Sequence, residues 1–124
     1  MVLLVVETDN LFCDNLVRHL RQRDFSVQIA TSLSNLSEVL RQQAFEVALV
    51  GLVGDRANAL RMLEVIRAMH PNTRVILMTP PDCIRYSIEG MQMGAFDDIQ
   101  VPFDIDLLCA KIMKAEALHS INRQ

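Results

Sequence analysis

No stretch of this sequence is long and apolar enough to cross a membrane. The leading apolar run, Met1 to Val6, has six residues, too few for a membrane span or a signal-peptide core. Positive charge is also scarce, with 12 lysines and arginines against 15 carboxylates and a formal charge of −3. A domain that grips nucleic acid carries a strongly basic face, so direct nucleic-acid binding is not expected. The local cluster of Arg18, Arg21 and Arg23 reads as a solvated helix face. Cysteine is sparse and unpatterned: Cys13, Cys83 and Cys109 are odd in number, far apart and without a C-x-x-C pair. That argues against a disulfide framework or a zinc site, suits a reducing cytoplasm, and leaves the cysteines as small packing residues. His19, His70 and His119 share no ligand-like spacing. Neither G-x-G-x-x-G, a Walker loop, H-E-x-x-H nor a nucleophile elbow occurs. No cofactor and no membrane contact are expected, and the expected location is cytoplasmic.

What is present is material for a core. Hydrophobic residues make up 51% of the 124 and charged residues 22%, which suits one globular domain over residues 1–124. Short apolar runs alternate with longer amphipathic stretches. Val2–Val6, Val47–Val50 (ending at Gly51) and Val75–Met78 are continuous apolar runs, the pattern of strands buried on both faces. Phe25–Ala30 alternates with period two and reads as a more peripheral strand, and Phe96–Val101 as a last short one. Between them lie helices. Asp9 or Asn10 caps one carrying Phe12, Leu16 and Leu20, and Ser32 or Ser34 caps one running to about Gln42. A third covers Ala59–Met69 and is stopped before Pro71, a fourth is capped by Asp82 and carries Ile84, Ile88 and Met91 before Gly94, and a fifth runs from about Asp104 to His119. Strict strand–helix alternation predicts an α/β fold, a doubly wound five-stranded parallel sheet covered on both sides. In such a sheet, ligands sit beyond the carboxyl ends of the strands, which draws attention to Glu7, Thr8, Asp9, Gly51, Thr79 and Val101.

Three motifs at those positions carry a resemblance over essentially the whole chain. L-L-V-V-E-T-D-N-L-F resembles the opening of response-regulator receiver domains, V-I-L-M-T resembles the strand that ends in their switch hydroxyl, and G-A-F-D-D-I-Q-V-P-F-D-I-D-L-L resembles their ending. The G-A-F-D and P-F-D-I-D portions are most similar to receivers of nitrogen-regulation-type activators. The resemblance implies the flavodoxin-like (βα)5 topology with strand order 2-1-3-4-5. It also implies a role in two-component or phosphorelay signalling, through aspartyl phosphorylation assisted by a carboxylate-bound Mg²⁺, a lysine and a hydroxyl.

Carried across residue by residue, most of that equipment is missing. The phosphoacceptor position is Gly51, which has no side chain to modify. The paired acidic positions are Glu7 and Thr8, and a threonine is a poor Mg²⁺ ligand. The lysine position is Val101, before Pro102, in a peptide bond that is often cis in the family. The aromatic switch position is Asp98, while Thr79 keeps the hydroxyl. Glu7 and Asp9 are weak metal candidates, with capping an equal account of Asp9, and no bound metal is expected. Asp55, four residues past Gly51, reads as a helix cap and not as a substitute nucleophile. A buried lysine without its aspartate would be an unpaired charge, so Gly51 and Val101 together leave a simpler, more apolar site.

The expectation is therefore a degenerate receiver, not an enzyme, that acts by binding a protein: a signalling partner or a fused output domain. The candidate surface is the fourth helix, fifth strand and fifth helix, or else the first-helix face. Tyr86, Met93 and Phe96 are candidate contact residues there, with ordinary partial burial as the alternative reading. Asp97 and Lys111 occupy positions that pair across dimers in some receivers, so a homodimer is a further possibility. Two alternatives stay open: a small-ligand or metal sensor at Glu7, Thr8, Asp9 and Thr79, or the regulatory domain of a longer transcription regulator.

Overall fold

Strands that are apolar at every position need cover on both faces, and here they have it. The computed structural model describes residues 1–122, and side chains as far as Leu118. Five strands, β1 (Val2–Val6), β2 (Ser26–Ala30), β3 (Val47–Gly51), β4 (Arg74–Thr79) and β5 (Asp97–Gln100), form one parallel sheet in the order 2-1-3-4-5. Between and after them run α1 (Asn10–Gln22), α2 (Leu33–Gln42), α3 (Arg56–Met69), α4 (Ile84–Gln92) and α5 (Ile105–Asn122). Alternate side chains of the central strands enter two cores. Leu4, Val6, Ala48, Val50, Val75 and Leu77 meet α2, α3 and α4. Leu3, Val5, Val47, Leu49, Ile76 and Met78 meet α1 and α5. The strand-order reversal between β1 and β3 puts the loops after these two strands side by side.

Caps set the helix starts. Asp9, Ser32 and Asp55 each accept a hydrogen bond from a backbone N–H in the following first turn, those of Phe12, Asn35 and Asn58. The Asp55 cap explains why α3 begins at Arg56 and not at Ala59: its first turn is polar, so apolar periodicity alone does not reveal it. Gly94 closes the turn after α4 with φ +106°, a conformation glycine adopts freely. The histidine at the expected end of α5, His119, has its side chain outside the described residues.

The fourth helix departs from expectation twice. Asp82 does not cap it. Pro81–Cys83 form a short 3-10 turn leading into α4, no side chain caps the helix start, and the Asp82 carboxylate pairs with Arg56 at 2.5 Å. Nor do Ile84, Ile88 and Met91 face the sheet; all three are exposed, while Ser87 and Gly90 are buried. The reason is steric. A β-carbon on Gly90 would stand 2.6 Å from Leu77 Cδ1, so the helix backbone lies on the sheet through its smallest residues and turns its large ones outward. Leaving an isoleucine in water forgoes about 1.5–3 kcal/mol of burial.

Candidate functional site

The carboxyl ends of β1 and β3 meet in a hydrogen-bonded clasp centred on Glu7. Its side chain is fully buried, a position a carboxylate tolerates only when its oxygens are satisfied. Three backbone N–H groups satisfy them: Val53 donates to Oε1 at 3.1 Å, and Gly54 and Asp9 donate to Oε2, each at 3.0 Å. Charge-assisted bonds of this kind are stronger than neutral ones. Beside it, Thr8 Oγ1 accepts a 2.7 Å bond from the N–H of Asp55. The β1–α1 loop is thus tied to the β3–α3 loop by three bonds to side chains across it.

Two glycines make room for this arrangement. A β-carbon built on Gly51 would stand 2.0 Å from Glu7 Oε1 and 2.7 Å from Glu7 Cδ. One built on Gly54 would stand 2.1 Å from Thr8 Oγ1 and 2.7 Å from the Asp9 nitrogen. The Glu7 carboxylate therefore fills the space into which a side chain at position 51 would project.

Around the clasp, each candidate residue can now be placed. Asp9 Oδ1 accepts from the Phe12 N–H at 2.9 Å and caps α1. Asp55 Oδ1 accepts from the Asn58 N–H at 3.0 Å and caps α3. Both Glu7 carboxylate oxygens and Thr8 Oγ1 thus accept from backbone N–H donors and Asp9 commits Oδ1 to its helix, a poor fit to a magnesium ion, which needs several oxygen lone pairs facing it. Thr79 is buried, with no hydrogen-bond partner for its hydroxyl among the described residues, while its carbonyl accepts from the Val101 N–H at 2.9 Å. Val101 is half-buried against the α1–α5 core, and the Val101-Pro102 bond is cis. Asp98 accepts a 3.2 Å hydrogen bond from Ser87 Oγ, linking β5 to α4.

Of the candidate contact residues, Tyr86 and Met93 pack onto the α2–α4 core, and Phe96 onto the α1–α5 core, with the Arg74 guanidinium 5.0 Å from its ring centre. Asp97 and Lys111 pair with each other within the chain, at 2.9 Å. The exposed large apolar residues of α4 are Ile84, Ile88 and Met91, to which sequence periodicity assigned the opposite role. Their i, i+4, i+7 spacing is equally compatible with either face of the helix; only the small residues at 87 and 90 signal the orientation.

Burial pushes the Cys13, Cys83 and Cys109 thiols above their ordinary value, which keeps them protonated and unreactive. The hydrogen bond from Arg56 holds the Asp82 carboxyl below the usual aspartate value. No helix among the described residues is long and apolar enough to cross a membrane.

Comparison with known proteins places this geometry in a family. The model of the response regulator receiver domain matches residues 3–113. The chain is 31% identical over 117 residues to the photosynthetic apparatus regulatory protein RegA of Rhodobacter capsulatus, covering 94% of this chain and 64% of that protein. It is 31% identical over 123 residues to the transcriptional regulatory protein ZraR of Escherichia coli K12, covering 98% of this chain and 28% of that protein. The chain thus spans less than two thirds of either relative. Among solved structures, the receiver domain of NtrX from Brucella abortus superposes with a TM-score of 0.83 at 22% identity, covering 93% of this chain and 98% of that one. At that identity the likeness establishes the shared fold.

Proposed function

The chain belongs to the response regulator receiver domain family, and from that premise we propose that it is a signalling module that works without accepting phosphate, by binding a protein partner. One observation carries this reading. The place of an acceptor side chain on Gly51 is filled by the Glu7 carboxylate, within 2.0 Å of where a β-carbon would stand. Glycine offers no oxygen nucleophile, Val101 offers no positive charge to a transferring phosphoryl group, and Thr8 offers a hydroxyl already engaged by Asp55. Phosphoryl transfer is catalysed by positioning and charge neutralisation, and both are missing.

The clasp also bears on conformation. A phosphoswitch needs two states whose balance the phosphoryl group shifts. Here the two loops that would respond are tied together by an internal carboxylate, so the domain holds one dominant state and signals by presence and affinity. In a longer regulator the same module would act on an attached output domain. The relatives RegA and ZraR, both larger than this chain, support that arrangement, and the expected setting is the cytoplasm.

The test is direct. Incubation with acetyl phosphate or with beryllofluoride, each with Mg²⁺, is expected to leave the mass and the amide spectrum unchanged, in parallel with a phosphorylatable receiver that responds. A stoichiometric phosphoadduct overturns the proposal.

A further inference from the structure

The end of the sheet opposite the Glu7 clasp carries a second hollow. It lies at the amino ends of β4 and β5, has a volume of about 210 Å³, and is lined by Arg67, Asn72, Arg74, Gly94 and Phe96 among others. Both arginines are half-buried, and each is held in place. Arg67 Nη1 donates to the Pro71 carbonyl at 2.7 Å. Its guanidinium lies against Gly94, where a β-carbon would stand 2.8 Å from Nε and 3.1 Å from Nη2. Arg74 is stacked over Phe96, 5.0 Å from the ring centre.

The charge in this hollow is uncompensated. None of its lining residues among the described ones is acidic. Neither arginine takes part in the ion pairs among the described residues, which use Arg23, Arg41, Arg56 and Lys111. Of the carboxylates nearby, Asp97 is held by Lys111 at 2.9 Å, and Glu46 lines the adjacent hollow. The last turn of α3 accounts for one cation, Arg67. Arg74 starts a strand and has no helix end to serve. Pro71 takes one of the five N–H donors of Arg67, and stacking on Phe96 uses none of Arg74's. A chain of net charge −3 thus sets two guanidiniums around one cavity.

We propose that this hollow binds, non-covalently, the phosphoryl group of free phosphate or of a small phosphate ester. Guanidinium forks match the oxygens of phosphate and carboxylate alike. A carboxylate brings one negative charge, whereas a phosphate monoester near neutral pH brings close to two, one for each arginine. Its tetrahedral oxygens can meet guanidiniums that come from different elements, α3 and β4, and the Asn72 amide is a further donor in the lining. The volume is below the roughly 300–1,000 Å³ of pockets that enclose a whole drug-sized ligand. Only the phosphoryl group enters, and the rest of an ester stays outside. The site uses no atom of the Glu7 clasp, so it fails or holds separately from the reading of that clasp.

The experiment follows the amide shifts of the full chain at constant ionic strength, because salt screens exposed charges. Sodium phosphate and glycerol phosphate are the probes, and succinate is a dianion without the phosphoryl group. At least one phosphate probe is expected to shift the Thr73, Gly94 and Phe96 amides saturably, with a Kd of about 1 mM, the level a few charge-assisted hydrogen bonds support. The tighter of the two identifies the source. Arg67→Gln and Arg74→Gln should each weaken binding about tenfold. Arg61→Gln, which removes an exposed arginine elsewhere on α3, should change nothing. Arg74→Gln removes no hydrogen bond among the described residues, so it keeps the test valid if Arg67→Gln unfolds. Acetyl phosphate carries the same group, so the acetyl phosphate experiment takes equal inorganic phosphate as its reference. Shifts that do not saturate, that succinate reproduces at equal concentration, or that Arg61→Gln reduces as much as Arg74→Gln each overturn the proposal.

Discussion

Glu7 and Gly51 are sterically interlocked: the carboxylate of one occupies the volume that any side chain on the other would need, with Oε1 2.0 Å from the place of a β-carbon. The two positions lie on neighbouring strands, just beyond β1 and at the last residue of β3. The glycine is therefore a partner of the buried glutamate, and the two are expected to vary together.

Gly51→Ala should accordingly destabilise the domain by about 1–3 kcal/mol, the usual cost of forcing atoms into a packed site. Urea unfolding measures it. Glu7→Ala should also destabilise, since it strands the buried N–H groups of Val53, Gly54 and Asp9. The double variant should be less damaged than the two losses added together, because the methyl at position 51 then enters vacated space. Strict additivity in this cycle would mean that the two residues do not compete for volume.

Placing an aspartate at position 51 should not by itself permit phosphorylation. In Gly51→Asp a second carboxylate enters the space of the first, where like charges and atoms collide, and Thr8 and Val101 still supply no metal ligand or cation. Mass spectrometry after acetyl phosphate and Mg²⁺ should find the variant unmodified. An adduct on residue 51 would mean that the clasp yields more readily than its three backbone hydrogen bonds imply.

The alternation of strand and helix and three of the helix caps were legible in the sequence because each rests on local patterning that the fold then reuses. The strand order came from the receiver resemblance and not from any local pattern. Val2–Val6 reads as buried on both faces, and all but the half-buried Val2 are buried. That Gly51 and Val101 stand where the resemblance calls for an aspartate and a lysine is read from the alignment of motifs alone. What could not be read is where the Glu7 carboxylate goes. Its three hydrogen-bond donors are backbone N–H groups, which every residue but proline has, so no residue type marks them. The orientation of α4 was missed for a related reason. Apolar spacing reports that a stripe exists, and only contacts 13 residues away in sequence, between Gly90 and Leu77, decide which way it faces.

The pair formed by Arg56 at the start of α3 and Asp82 in the 3-10 turn should appear in the titration of Asp82. The arginine holds the carboxyl below its ordinary value, so the folded state binds that proton less readily than the unfolded chain. The pair's stabilising contribution is thus present above the unfolded aspartate value, about 3.9, and fades as pH falls through the lower folded value. Arg56→Gln should raise the Asp82 value toward the ordinary one, measured by carboxyl chemical shift. Both side chains are open to water, so overall stability near neutral pH should hardly change. An unmoved titration would mean that the pair does not persist in solution.

Gly90→Ala sets two known forces against each other. Alanine favours a helix interior over glycine by about 1 kcal/mol, and on an open helix face that gain would prevail. Here the new methyl would stand 2.6 Å from Leu77 Cδ1 and 3.5 Å from Leu63 Cδ2. Both leucines are fully buried, so neither can yield without displacing its own neighbours, and overpacking of this kind costs about 1–3 kcal/mol. The cost outweighs the propensity, and the variant should unfold at lower urea than the parent. It should also lift α4 from the sheet and disturb the Ser87–Asp98 hydrogen bond, which the amide shift of Asp98 would register. If the variant is instead more stable, with that shift unchanged, Leu77 repacks freely and close approach is not what turns Ile84 and Ile88 outward.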